Sequence, residues 1–145
     1  MGKRLIIKGA DFSSVAVDKE SVNVTNILAH ITLGYNVNQP SNYQPDRACL
    51  SFGNALNLTS YKEQGYSKVT IKPLEGIDVF PALCPNNGIF ENLVYPSSEW
   101  LTDAVTYDIQ SYDKVCFGLR LSNDEELMNR SQLASDWVVV VLSKS

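Results

Sequence analysis

The chain closes on Asp136-Trp137-Val138-Val139-Val140-Val141-Leu142, an unbroken apolar and β-branched run ended by Ser143-Lys144-Ser145. Valine loses little on being extended and packs well on a pleated surface. A run without alternation is buried on both faces or lies at the centre of a packed sheet. Such a terminal strand needs partner strands from earlier in the chain, so it predicts a β-sandwich that the C-terminus completes.

Short extended segments recur upstream. Lys3-Arg4-Leu5-Ile6-Ile7-Lys8 reads as a short strand stopped by Gly9, and Ser21 to Asn26 alternates with period two. Ile27 to Leu33 fits either a continued strand or a short helical turn. Tyr35 to Asp46 is polar, holds Pro40 and Pro45, and lacks periodicity, which is loop or linker chemistry. We therefore expect an N-terminal arm over residues 1–45 and a β-sandwich over residues 46–145. The arm is rich in apolar residues; it either folds back onto the sandwich or adds strands to a neighbouring copy.

Beyond the linker, Ala48 to Phe52, Tyr66 to Pro73, Asp78 to Cys84, Ala104 to Ile109 and Lys114 to Leu121 all read as strands. In the second, Val69 and Ile71 face inward. In the third, Pro81 cannot donate to a ladder and belongs at an edge or bulge. In the last, Val115, Phe117, Leu119 and Leu121 share one face, with Cys116, Gly118 and Arg120 on the other. Pro85-Asn86-Asn87-Gly88 is a turn, and Ser122 to Asn129 fits one capped helical turn.

A net charge of −4, with Lys3-Arg4 and Lys8 the nearest approach to a basic patch, argues against nucleic acid as a partner. Neither a transmembrane stretch nor a signal peptide is expected, because the apolar core after Lys3-Arg4 is only Leu5-Ile6-Ile7. Met1-Gly2 fails the myristoylation pattern at Ile6. Asn23, Asn57 and Asn129 head N-x-[ST] tripeptides, which are coincidental in a chain that is not secreted.

Candidate chemistry is sparse. Cys49, Cys84 and Cys116 stand far apart in apolar contexts, either as buried hydrophobes of a reducing compartment or as one disulfide with a leftover thiol. The single histidine, His30, fits a polar residue at an element's end. No serine lies in a nucleophile elbow, no acidic loop follows a calcium pattern, and Glu75, Glu91 and Glu99 share no motif. The expectation is a protein that is not an enzyme and uses no metal or cofactor. Aromatic residues are the stronger lead. Phe90, Tyr95 and Trp100, within or beside the segment 85–99, form a platform for the apolar face of a sugar, or else Tyr95 and Trp100 plug the end of the sandwich as core.

Lys3-Arg4-Leu5-Ile6-Ile7-Lys8-Gly9-Ala10-Asp11-Phe12-Ser13 resembles the opening of proteins from gut Bacteroidales and their crAss-like phages. The later order is similar to jelly-roll modules on phage fibre and surface proteins of that group. It runs Gly65 to Ile71, Trp100-Leu101-Thr102, then Ile109 to Val115. The resemblance implies a jelly-roll-like antiparallel sandwich and a virion or surface-attachment role. It also implies a homotrimer docked on other virion proteins through the N-terminal segment, where Leu5, Ile6, Ile7 and Phe12 are the candidate attachment residues. It carries no catalytic residue. Together these readings point to a virion structural protein, a head- or tail-fibre component made in the host cytoplasm. A carbohydrate-binding or adhesion module of a bacterial surface is the alternative, and an enzyme comes third.

Overall fold

The computed structural model describes residues 20–122 and 136–144 of the chain. The expected strand at 3–8, the attachment candidates Leu5, Ile6, Ile7 and Phe12, and most of the expected helical turn at 122–129 lie outside the described residues.

Two antiparallel sheets face each other. In the first, β1 (Ser21–Asn23), β9 (Val138–Ser143), β5 (Lys68–Pro73) and β7 (Val105–Asp108) lie side by side in that order. The second is built on β8 (Tyr112–Leu121), the longest strand among the described residues. One edge of β8 pairs with β3 (Ala48–Leu50) and β4 (Leu56–Asn57), while β2 (Thr32–Leu33) extends the sheet beyond β3. The other edge of β8 pairs with β6 (Ile77–Pro85).

The valine-rich run is central in its sheet, held between β1 and β5. It is not buried on both faces: Val138, Val140 and Leu142 are buried, while Val139 and Val141 are half-buried on the outside. β8 is buried on both faces, its residues Val115 to Leu119 being all buried. Its inward set of Val115, Phe117, Leu119 and Leu121 packs with Val69, Ile71, Val138, Val140 and Leu142 of the opposite sheet to form the main core. This is the alternation predicted from sequence, with one addition: loops cover the outer face as well.

For residues 20–45 the fold-back alternative holds. β1 pairs with β9, a 3₁₀ helix over Thr25–His30 buries Leu28, and β2 pairs with β3. The stretch 35–46 is a cover loop rather than an open linker. Gly34 donates to the Arg47 carbonyl at 2.8 Å, Gln44 donates to the Gly34 carbonyl, and Val37 is 1% exposed.

Pro81 takes the edge position expected of it. The amides of Val79 and Leu83 point away from β8, to the carbonyls of Leu101 and Val94. Pro81 lies between those two bridges, where its missing N–H leaves no ladder bond unmade.

Candidate ligand-binding face

The outer face of the β8 sheet follows from period-two alternation on three neighbouring strands. β6 sends Asp78, Phe80, Ala82 and Cys84 outward; β8 sends Arg120, Gly118, Cys116 and Lys114; β3 sends Cys49. In register, Asp78 stands opposite Arg120, Phe80 opposite Gly118, and Ala82 opposite Cys116. The face therefore runs from an ion pair through an aromatic centre to a patch of thiols.

At the thiol end, Cys49, Cys84 and Cys116 pack with Val37, Ala82 and Leu93 under Phe52 and Phe90. All three cysteines are free and buried, so the buried-hydrophobe reading is the correct one and the disulfide alternative falls. Burial pushes the Cys49 thiol up to about 11 and Cys116 to about 12, with the neighbouring thiols adding to the latter. Thiols held protonated in this way are poor nucleophiles.

At the centre, Gly118 opens the space. A Cβ there would collide with Asn36 Oδ1 and come within 3.4 Å of the Trp100 ring. Glycine thus admits both Asn36, whose Oδ1 accepts the Val37 amide at 2.8 Å, and the indole. Trp100 and Tyr95 both pack on Phe80. Tyr95 stacks at 5.7 Å with planes 28° apart, and Trp100 tilts at 5.4 Å. Tyr95 remains 37% exposed, with its phenol pushed above its ordinary range by burial first and Cys116 second.

Two guanidiniums flank the indole, Arg120 at 4.6 Å and Arg47 at 5.1 Å from its centroid. Arg120 donates its Nε–H to Asp78 at 2.8 Å, and the Ser122 hydroxyl donates to the other Asp78 oxygen at 2.6 Å. Arg47 pairs with Asp46, and its buried Nε has no hydrogen-bond partner among the described residues. What Arg47 meets instead is the face of Trp100.

The structure thus gathers two of the three aromatic candidates. Tyr95 and Trp100 meet on Phe80, whereas Phe90 turns to Phe52 at 6.2 Å, over the thiols. They stand on the outer face of a sheet and not between the sheets, so neither Tyr95 nor Trp100 plugs the end of the sandwich. Sequence reading missed Phe80, Arg47, Arg120 and Asp78. The outward alternation of 78–84 and 116–120 held the signal for three of them, but their cross-strand register is a long-range property.

Comparison with protein-family models, curated proteins and solved structures finds no match for the chain.

A concavity of about 470 Å³ lies elsewhere, between α1 (Thr59–Glu63), the turn at Asn86 and Asn87, and the β7–β8 connection. Its polar groups are largely engaged with one another. Lys62 Nζ donates to Asn86 Oδ1 at 3.0 Å and to the Tyr112 carbonyl at 2.7 Å, and Asp113 Oδ2 accepts the Asn87 amide. This network ties three loops together at one end of the sheets. His30 is exposed at the close of its 3₁₀ helix, with no acid or thiol partner among the described residues. Among the described residues, no group of three or more His, Cys, Asp or Glu side chains is placed to hold a metal, and no helix is long and apolar enough to cross a membrane.

Proposed function

We propose that the protein is a phage virion structural protein, a head- or tail-fibre component, whose sandwich is displayed outward and holds a host-surface glycan through the outer face of the β8 sheet. The observation that carries the binding reading is the cluster of Phe80, Tyr95 and Trp100: a solvent-accessible tyrosine backed by a second ring and braced beside cation-flanked tryptophan. Pyranose rings present an apolar C–H face that such a surface complements.

The virion placement rests on the likeness of residues 3–13 to Bacteroidales phage proteins. The strand order supports a jelly roll. From β4 onward the chain changes sheet at every strand, and its first described strand lies beside its last. β1, the first described strand, is an edge strand, and the resemblance of the opening residues makes Leu5, Ile6, Ile7 and Phe12 the residues we propose for docking. Assembly as a homotrimer multiplies weak glycan contacts into avidity. The work is holding, without turnover and without a cofactor.

The same aromatic face favours a second reading, a carbohydrate-binding or adhesion module of a gut bacterial surface protein acting as a monomer. Light scattering separates them. The virion reading expects a stable oligomer from the full chain; a monomer at high concentration that still binds glycan through Tyr95 favours the module.

A further inference from the structure

We infer that the glycan held by this face is acidic, and that Arg120 receives its carboxylate; the inference rests on the reading of the face as a saccharide platform. Arg120 is fixed from two directions. Asp78, its cross-strand partner, has a side chain only 5% exposed and is itself held by Ser122, while the Trp100 ring lies against the guanidinium. Asp78 takes the Nε–H, and among the described residues no hydrogen bond engages the terminal nitrogens; with the side chain 28% exposed, these nitrogens are the atoms the inference assigns to an external acceptor. A guanidinium held flat by a buried acid loses little freedom on binding, and its planar fork matches the two oxygens of a carboxylate.

The rings join the platform to the fork. Tyr95 packs on Phe80, Phe80 on Trp100 and Trp100 on Arg120 at centre-to-centre distances of 5.7, 5.4 and 4.6 Å, so the exposed phenol ring and the guanidinium belong to one contiguous cluster that a ligand of more than one sugar would span. One sugar sits on Tyr95 and a uronic acid further along meets the fork. A neutral sugar would use the platform alone.

The test titrates the full-length protein by calorimetry with tetrasaccharides of galacturonate, mannuronate and hyaluronan, each as the free acid and as its methyl ester. The ester keeps the skeleton and removes the charge. At least one acid form should bind about tenfold more tightly than its ester, the difference expected for a partly exposed charge-assisted pair. Arg120→Lys, which preserves the charge opposite Asp78, should bring that ratio close to one, while Tyr95→Ala should weaken acid and ester together. In unsubstituted protein, the Arg120 Nε–H resonance should shift on addition of the acid and not of the ester.

Binding of acid and ester alike, full discrimination by Arg120→Lys, an unmoved Arg120 resonance, or no binding of any acid would each overturn the inference. Equal binding that still depends on Tyr95 overturns the carboxylate alone and leaves the platform reading in place. Failure of Tyr95→Ala to affect retention of any glycan removes the platform itself.

Discussion

Gly118 of β8 and Asn36 of the β2–β3 loop share one space: a Cβ at 118 would collide with the Asn36 Oδ1 that caps the Val37 amide. The whole outer layer depends on that vacancy, because Val37 and Trp100 close over the same spot. Gly118→Ala should therefore cost about 1–3 kcal/mol by overpacking. A lower urea midpoint with an unchanged m-value, together with a shifted Trp100 fluorescence, would register it. An unchanged midpoint would mean the loop packs elsewhere.

Truncation tests the path of the N-terminal segment. Removing residues 1–19 leaves β1 in place, and we expect the fold to persist while oligomerisation or particle docking is lost. Removing residues 1–34 also takes away Val24 and Leu28, each under 5% exposed, and the 2.9 Å bond from the Val24 amide to the Val140 carbonyl. Burial of each such side chain is worth about 1.5–3 kcal/mol. The longer truncation should unfold or aggregate, which circular dichroism and light scattering would read.

High pH probes the thiol patch. An unfolded cysteine ionises near about 8.5, whereas Cys116 is pushed up to about 12 in the folded protein. Below pH 8 both states keep the proton, and the contribution of Cys116 to stability is fully present. As pH rises from about 9 toward 12 the unfolded chain releases its proton first, so stability falls. The urea midpoint should drop more steeply between pH 8 and pH 10.5 in the wild type than in Cys116→Ala. Equal slopes would contradict the burial of that thiol.

The inner core was legible because it is written in local alternation. Val69 with Ile71, and Val115 with Phe117 and Leu119, declare their face at a spacing of two. The outer layer was legible only in part. Phe90, Tyr95 and Trp100 stood out as aromatic residues in an aperiodic segment, but which of them meet is decided by Phe80, whose register neighbour in the sheet's centre, Gly118, is 38 residues away in sequence. Arg47 is more distant still, brought to Trp100 by a loop whose two prolines and polar run read as a linker. That loop looks polar because Val37 is the one apolar residue of 35–46 that is fully buried. Of the two readings of the valine-rich end, the central place in a sheet is the one that holds. Burial on both faces does not, since a run of valines satisfies a half-exposed face as readily as a buried one.

Tyr95 is the residue on which the functional account turns, being the exposed ring of the cluster, while Trp100 is hemmed by Phe80 and two arginines. Trp100→Ala should consequently lose both binding and stability, the latter by roughly 2–4 kcal/mol for a half-buried indole. Tyr95→Ala, by contrast, should leave the unfolding midpoint nearly unchanged. The decisive measurement is the retention of full-length wild type and Tyr95→Ala on surface polysaccharide from Bacteroidales cells. Saturable retention of the wild type and its loss in the folded Tyr95→Ala protein are the predicted result; equal retention of the two, or none by the wild type, would contradict a sandwich that works by holding glycan on this face.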